Sequence, residues 1–280
     1  MARDGTGERM ALLRGAIAGI EARAESAPAG APPRLPIARA LDAALGGGLS
    51  GDALHEIAPV QACDGAAAMG FALALAARFL AAAPHAATAL LIAEDSAARE
   101  AGALYGPGLA AHGLEPGRLV LARAPDARAL LWAMEEALRS GAPAVVVGEM
   151  TNLRLYGLAA SRRLLLAARA GRAPALLVLG GGFGRMDVWS SAAETRFEIA
   201  AAASARRPSA GGRLALPGAA AFAARLVKAR LRPGAPARGF DAARVIRLEW
   251  HGVEGGFRDP ALSLPVVRAS ADGPGAGVAR

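Results

Sequence analysis

One cysteine, one lysine and few aromatic residues each close off a class of chemistry. With Cys63 alone, neither an intramolecular disulfide framework nor a cysteine-based zinc cluster can form, which fits a reducing compartment and makes the cytoplasm the expected location. Lys228 is the only lysine among 32 basic residues, so the phosphate-loop sequence G-x-x-x-x-G-K-[ST] cannot occur anywhere in the chain. G-x-S-x-G and H-E-x-x-H are missing as well. His55, His85, His112 and His251 are scattered without ligand spacing, so they read as packed or exposed residues, and no metal or cofactor is expected. Gly180-Gly181-Gly182-Phe183-Gly184 fails the G-x-G-x-x-G pattern because Arg185 stands at the last glycine position. The most apolar stretch, residues 66–83, is about long enough to span a bilayer. It is mostly alanine, carries Arg78 and is followed by Pro84, which reads as a buried core helix. The first 26 residues alternate charged with apolar positions and lack the apolar centre of a secretory signal.

What is present is a long, alanine-rich, arginine-rich chain. Its 280 residues suffice for one large α/β domain with extensions, or for two modest domains. The 54% hydrophobic content overstates the core, because alanine supplies about a quarter of all residues. The net charge of +8 is unevenly placed: residues 1–203 hold 19 basic and 19 acidic side chains, whereas residues 204–280 hold 13 and 5. Two readings follow: the C-terminal part meets an acidic partner, nucleic acid or protein, or it is a solvated arginine-rich surface.

Periodicity gives the organisation. Met10, Leu13, Ile17 and Ile20 form one stripe on a helix over 8–24, and the prolines of 27–36 end it, so 1–33 reads as an N-terminal helix with a Pro-rich linker. From residue 34 strands alternate with helices. Strands are predicted at 53–57, 88–93, 119–123, 144–147, 175–179 and 195–200, and helices at 66–83, 127–140 and 159–170, the second with Leu130, Leu131, Met134 and Leu138 inward. Such crossover units imply an α/β fold with a mostly parallel sheet flanked by helices. Gly180 to Gly184 reads as a flexible loop, 204–218 as a connection, 223–231 and 245–250 as two further strands, and 268–280 as a disordered tail.

The informative motif is Leu41-Asp42-Ala43-Ala44-Leu45-Gly46-Gly47-Gly48-Leu49, followed by Gly51, His55-Glu56-Ile57 and Pro59. It resembles the entry to RecA-like cores, where a glycine-rich turn leads into the strand before the phosphate-binding loop, and the likeness spans about residues 34–250. Aligned on that strand, Gly65 matches the glycine before the family's lysine, while Ala66 and Ala67 stand where the lysine and the Ser or Thr belong. The cation and hydroxyl that phosphoryl transfer relies on are therefore absent, and Asp64 adds a negative charge. Glu149 ends 144–147 one residue past the family's metal-water carboxylate; it reads as a capping or solvated strand end. Glu94 and Asp95 resemble the position of the water-activating carboxylate and read as loop carboxylates.

Four further stretches, in this order, narrow the resemblance: Leu130-Leu131-Trp132-Ala133-Met134-Glu135-Glu136-Ala137-Leu138-Arg139, Val145-Val146-Val147-Gly148-Glu149, Ser161-Arg162-Arg163-Leu164 and Thr195-Arg196-Phe197. Together they are similar to the ImuA family, accessory proteins of a damage-inducible mutagenesis cassette. That resemblance implies a degenerate RecA-like core at 34–203, a basic C-terminal segment at 204–267 whose strands complete or extend it, and no enzyme activity. It also implies a scaffold role in SOS-induced translesion synthesis. The implied partners are an ImuB-like inactive Y-family polymerase protein and an error-prone replicative-type polymerase, with RecA and DNA as further candidates and no membrane.

Candidate contact residues are Arg185 and Trp189, for phosphate and base stacking in the loop after 179, and Lys228, Arg230 and Arg232, which strict alternation puts on one strand face. The competing readings are a loop that covers the sheet end and a solvated edge-strand face. Deletion after about Ala205 is expected to abolish partner binding while leaving the core folded. Two other functions remain open: an ATP-dependent RecA-like recombinase with an unconventional loop, and a RecA-like module for damage-induced division arrest.

Overall fold

Short, nearly all-apolar strands separated by helices leave the chain one way to satisfy its backbone polar groups while burying both faces of those strands: a central sheet with crossover helices. The computed structural model describes residues 33–180, 190–204, 207–208, 215–216, 218–230 and 241–258. The expected N-terminal helix, the linker before residue 33, Arg185, Trp189, Arg232 and the tail at 268–280 lie outside those residues. The chain divides at Pro33, and the unit Arg34–Arg280 carries every element described below.

The strands are β1 (Arg34–Leu35), β2 (Leu49–Ser50), β3 (Leu54–Pro59), β4 (Ala89–Glu94), β5 (Leu119–Ala124), β6 (Val145–Met150), β7 (Ala175–Leu179), β8 (Thr195–Ala201), β9 (Arg207–Pro208), β10 (Ala215–Leu216), β11 (Ala220–Ala229), β12 (Val245–His251) and β13 (Gly256–Arg258). The helices are α1 (Arg39–Leu45), α2 (Gly65–Ala82), α3 (Asp95–Ala101), α4 (Gly106–Ala111), α5 (Ala127–Ser140) and α6 (Leu158–Gly171). One sheet of 9 strands runs β13-β12-β11-β8-β3-β7-β6-β4-β5. From β8 to β5 neighbours are parallel; β11, β12 and β13 extend the β8 side antiparallel. This is the α/β, mostly parallel, helix-flanked sheet expected of a RecA-like core.

Two packed layers hold it. On one face α2 places Phe71 and Leu75 against Ile57, Phe197 and Ile199, and the same core continues into Phe222, Leu226, Leu248, Trp250 and Phe257. On the other, α5 and α6 bring Leu130, Met134, Leu138 and Leu164 onto Leu54, Val146, Leu177 and Leu179. Helix α2, with the short 3-10 turn before it, is the one described helix long and apolar enough to cross a bilayer, yet 56% of that window is buried inside the fold. Asp126 caps α5 by accepting the Ala129 N–H at 2.8 Å, an interaction of about 1 kcal/mol.

The glycine-rich turn has a steric cause. Leu35 pairs with Leu49 in the small β1–β2 hairpin, and Gly48 there has φ +119 with its Cα so close to the chain that a Cβ would lie 2.2 Å from the Leu35 carbonyl oxygen.

Three expectations change. Residues 204–218 are not wholly a connection, since β9 and β10 pair within them. The basic strand stops at Ala229 instead of Leu231, and it is no edge: β11 lies between β8 and β12. Deletion after Ala205 would take part of the core with it, because it removes Phe222, Trp250 and Phe257, whose rings pack with Phe71 and with one another at centroid distances of 4.9 to 6.3 Å.

Candidate functional site

The loop that leaves β3 is built around its own anion. After Pro59 the chain makes a 3-10 turn, Ala62–Asp64, and α2 begins at Gly65, the glycine matched to the phosphate-loop pattern. The Asp64 carboxylate, 8% exposed, accepts the Gln61 N–H at 3.2 Å and the Ala201 N–H, at the end of β8, at 2.9 Å. The Gln61 side chain in turn accepts the Asp64 N–H, a reciprocal capping box. In a phosphate-binding loop the backbone amides face the ligand; here the Gln61 amide of the loop is taken by the Asp64 side chain, which also holds the loop to β8 and sets a carboxylate just before an 18-residue helix. Ala66 and Ala67, on the first turn, offer neither cation nor hydroxyl.

The ends of β4 and β6 are also occupied from within. Glu94 is not the loop carboxylate expected: it is buried, and one oxygen accepts the N–H of Thr151 at 2.8 Å, its hydroxyl at 3.0 Å and the N–H of Asn152 at 3.1 Å. The Thr151 hydroxyl meets that of Ser96 at 2.5 Å. Asp95 opens α3 and pairs with Arg123 at 2.9 Å. Glu149 is no solvated strand end either: it sits in register beside Ala93 and Val178, and desolvation, with the nearby Glu100 charge, raises its pKa.

The basic strand is reorganised by a bulge. Phe222, Ala224 and Leu226 alternate onto the α2 face, and strict alternation would send Lys228 into that same apolar layer. The register shifts between Leu226 and Lys228, so that Lys228 pairs with Arg196, itself opposite Glu56 on β3. The extra residue turns Lys228 to the polar face, where its Nζ donates to the Ser191 carbonyl at 2.7 Å and to the Ser191 hydroxyl oxygen at 2.9 Å. Burial, aided by the charges of Arg230 and Arg196 and opposed by Glu56, lowers its pKa to about 8. Arg230 lies past the strand end, exposed, with its N–H donated to the Glu194 carbonyl at 2.7 Å. Lys228 and Arg230 therefore do not form one free basic stripe.

Behind them lies a network that the strand pattern alone did not identify as a site. Arg196, 3% exposed, donates from Nε to Glu56, fully buried, at 2.6 Å; Tyr156 donates its hydroxyl to the other Glu56 oxygen; and Arg196 reaches the Ser191 hydroxyl at 3.2 Å. Desolvation, then the Glu56 charge, push the Tyr156 pKa well above its usual value. A buried ion pair of this kind specifies geometry more than it adds stability. It fixes residues 191–196 against β3 and α6, where the Ser161 hydroxyl oxygen also accepts the Ala192 N–H at 2.8 Å. The sequence signal was a carboxylate in His55-Glu56-Ile57 and a guanidinium in Thr195-Arg196-Phe197, each beside an apolar residue of a predicted strand.

His55 and His112 are packed, as expected. Fully buried His55 bridges the Thr195 hydroxyl and the Ser50 carbonyl, both at 2.9 Å, and burial lowers its pKa to about 4. His112 meets the Gly70 carbonyl at 2.8 Å and packs on Trp250. No group of metal-ligating side chains occurs among the described residues.

No protein-family model matches the chain, and no curated protein does. Among solved structures, the RadB recombinase is similar over 79% of this chain and 97% of its own, at 17% identity and a TM-score of 0.49. SulA from Pseudomonas aeruginosa is similar over 46% of this chain and 98% of its own, at 27% identity and a TM-score of 0.36.

Proposed function

We propose that this protein is a non-catalytic accessory of damage-induced translesion synthesis, a RecA-like core that works by docking instead of by hydrolysing ATP. The observation that carries the reading is the occupation of the loop after β3: Asp64 takes the amides of Gln61 and Ala201, and Ala66 and Ala67 stand where a cation and a hydroxyl would be required. The inward use of Glu94 supports it, since a carboxylate bound to Thr151 and Asn152 is poorly placed to activate water. The stretches that resemble the ImuA family supply the biological setting. They fall on α5, β6, α6 and β8, two helices on one face of the sheet and two of its strands, with β7 and β3 between β6 and β8.

In this reading the protein acts in the cytoplasm and binds an ImuB-like inactive polymerase protein and an error-prone replicative-type polymerase, with RecA and DNA as further contacts. The first test is calorimetry of the purified full chain with ATP and magnesium, with and without single-stranded DNA. Absence of binding is expected; micromolar binding would end the reading that the loop after β3 holds no nucleotide and make the protein a nucleotide-controlled switch, and magnesium-dependent ATP hydrolysis that tracks the protein through purification would end the non-catalytic reading. Pull-down with the purified ImuB-like protein tests the partner directly, and a full chain that retains neither polymerase protein ends the translesion assignment.

A further inference from the structure

The solvent side of α6 is basic and apolar at once. Ser161, Leu164, Ala167 and Ala168 face inward, and Arg163 reaches across to Glu135 on α5. That leaves Leu158, Arg162 and Leu166 in line at i, i+4 and i+8, all exposed, with Leu155 just before the helix. The leucines keep 48% (Leu155), 52% (Leu158) and 50% (Leu166) of their surface open, a row of apolar area interrupted only by an arginine. Between Glu149 and Gly180 the chain holds Arg154, Arg162, Arg163, Arg169 and Arg172 and no carboxylate at all.

From this juxtaposition we infer that the outer face of α6, with Leu155, is a docking surface for an acidic amphipathic helix of a partner protein. Leucines at helical spacing fit the apolar stripe of such a segment, and the exposed guanidinium of Arg162 between them, in a stretch without carboxylates, fits an acidic side chain beside that stripe. Charge complementarity selects this occupant. A second copy of α6 would set arginines against arginines. Residues 1–26 of the chain hold Arg3, Arg9, Arg14 and Arg23 against Asp4, Glu8, Glu21 and Glu25, no net charge to offer. Nucleic acid would use the arginines but leave the open leucines uncovered. The inference rests on the docking reading above only in taking the protein to act by binding; it does not require the partner to be a polymerase.

The test uses the full chain and a fluorescent helical peptide with leucines at i, i+4 and i+8 and glutamates between them, compared by anisotropy with a scrambled peptide of the same composition. The patterned peptide is expected to bind about tenfold more tightly than the scrambled one, and Arg162→Glu and Leu166→Ser are each expected to weaken it about tenfold, the effect of one well-placed interface side chain. Both positions are exposed, so an unchanged melting temperature separates lost binding from lost folding. Equal binding of the two peptides, no binding, or variants that bind like the parent overturns the inference. Binding of oligo-dT or of phosphatidylserine vesicles that is lost in the same variants, with the patterned peptide ignored, overturns it in favour of a nucleic-acid or a membrane surface. Neither result bears on ATP binding or on pull-down by the ImuB-like protein, which decide the functional reading separately.

Discussion

Acidification should destabilise the fold through His55 from pH 6.5 downward, because the unfolded chain takes up a proton that the buried ring refuses. Its Nε2 faces the Ser50 carbonyl, which only accepts, so the neutral ring must carry its proton there and take the Thr195 hydroxyl proton at Nδ1. A second proton on Nδ1 would turn the Thr195 hydroxyl away and bury a charge in a fully enclosed site. The pKa falls from 6.5 to about 4 on folding. A depressed folded pKa means that the unfolded chain binds the proton first, so stability is intact above 6.5, begins to fall there, and has lost the whole term below 4. At pH 5 the loss is about 2 kcal/mol, and at full protonation about 3 kcal/mol. Urea denaturation of the parent and of His55→Gln at pH 7.5 and pH 5 measures it. His112, whose pKa burial also lowers, contributes equally to both proteins and drops out of the difference. The parent should lose about 2 kcal/mol more than the variant over this interval. Equal losses in the two proteins would refute the assignment of His55 as a buried neutral imidazole.

Lys228, as the sole lysine, can be observed directly: reductive methylation with carbon-13 formaldehyde labels it and the amino terminus, and its resonance should titrate near 8. A midpoint at about 10.4, the value of a free lysine, would mean that it is solvated and not held at Ser191. Because its folded pKa is depressed, it favours the folded state most above 10.5, and that benefit is lost as pH falls through 8. Glu56→Gln removes the carboxylate that Arg196 Nε meets and should cost about 3 to 5 kcal/mol by denaturant titration, whereas the Glu56→Gln, Arg196→Met double variant should be less destabilised than Glu56→Gln alone. Additive losses would show that the pair is not coupled. Gly48→Ala should lower stability by more than about 2 kcal/mol, since the added Cβ meets the Leu35 carbonyl and φ is positive; an unchanged melting temperature would place the hairpin elsewhere.

Much of the fold was legible because strand and helix periodicity is local. The run Leu130, Met134, Leu138 and the block Val145 to Val147 report α5 and β6 without reference to the rest of the chain. The short helices α3 and α4 escaped the reading, since Asp95–Ala101 and Gly106–Ala111 are too brief and too poor in apolar side chains to show a stripe. The bulge escaped it too. Nothing in Leu226-Val227-Lys228 marks an extra residue; it becomes visible only against the β8 register.

By itself the sequence determined that this chain has no lysine-bearing phosphate loop, no intramolecular disulfide and an alternating α/β core, because composition and short-range spacing suffice for each. Only the tertiary structure decided what fills the loop and the strand ends. Asp64 finds the Ala201 amide 137 residues away, and Glu56 finds Arg196 140 residues away. Those meetings depend on β3 and β8 lying side by side in one register, which is a property of the assembled sheet and of no segment within it.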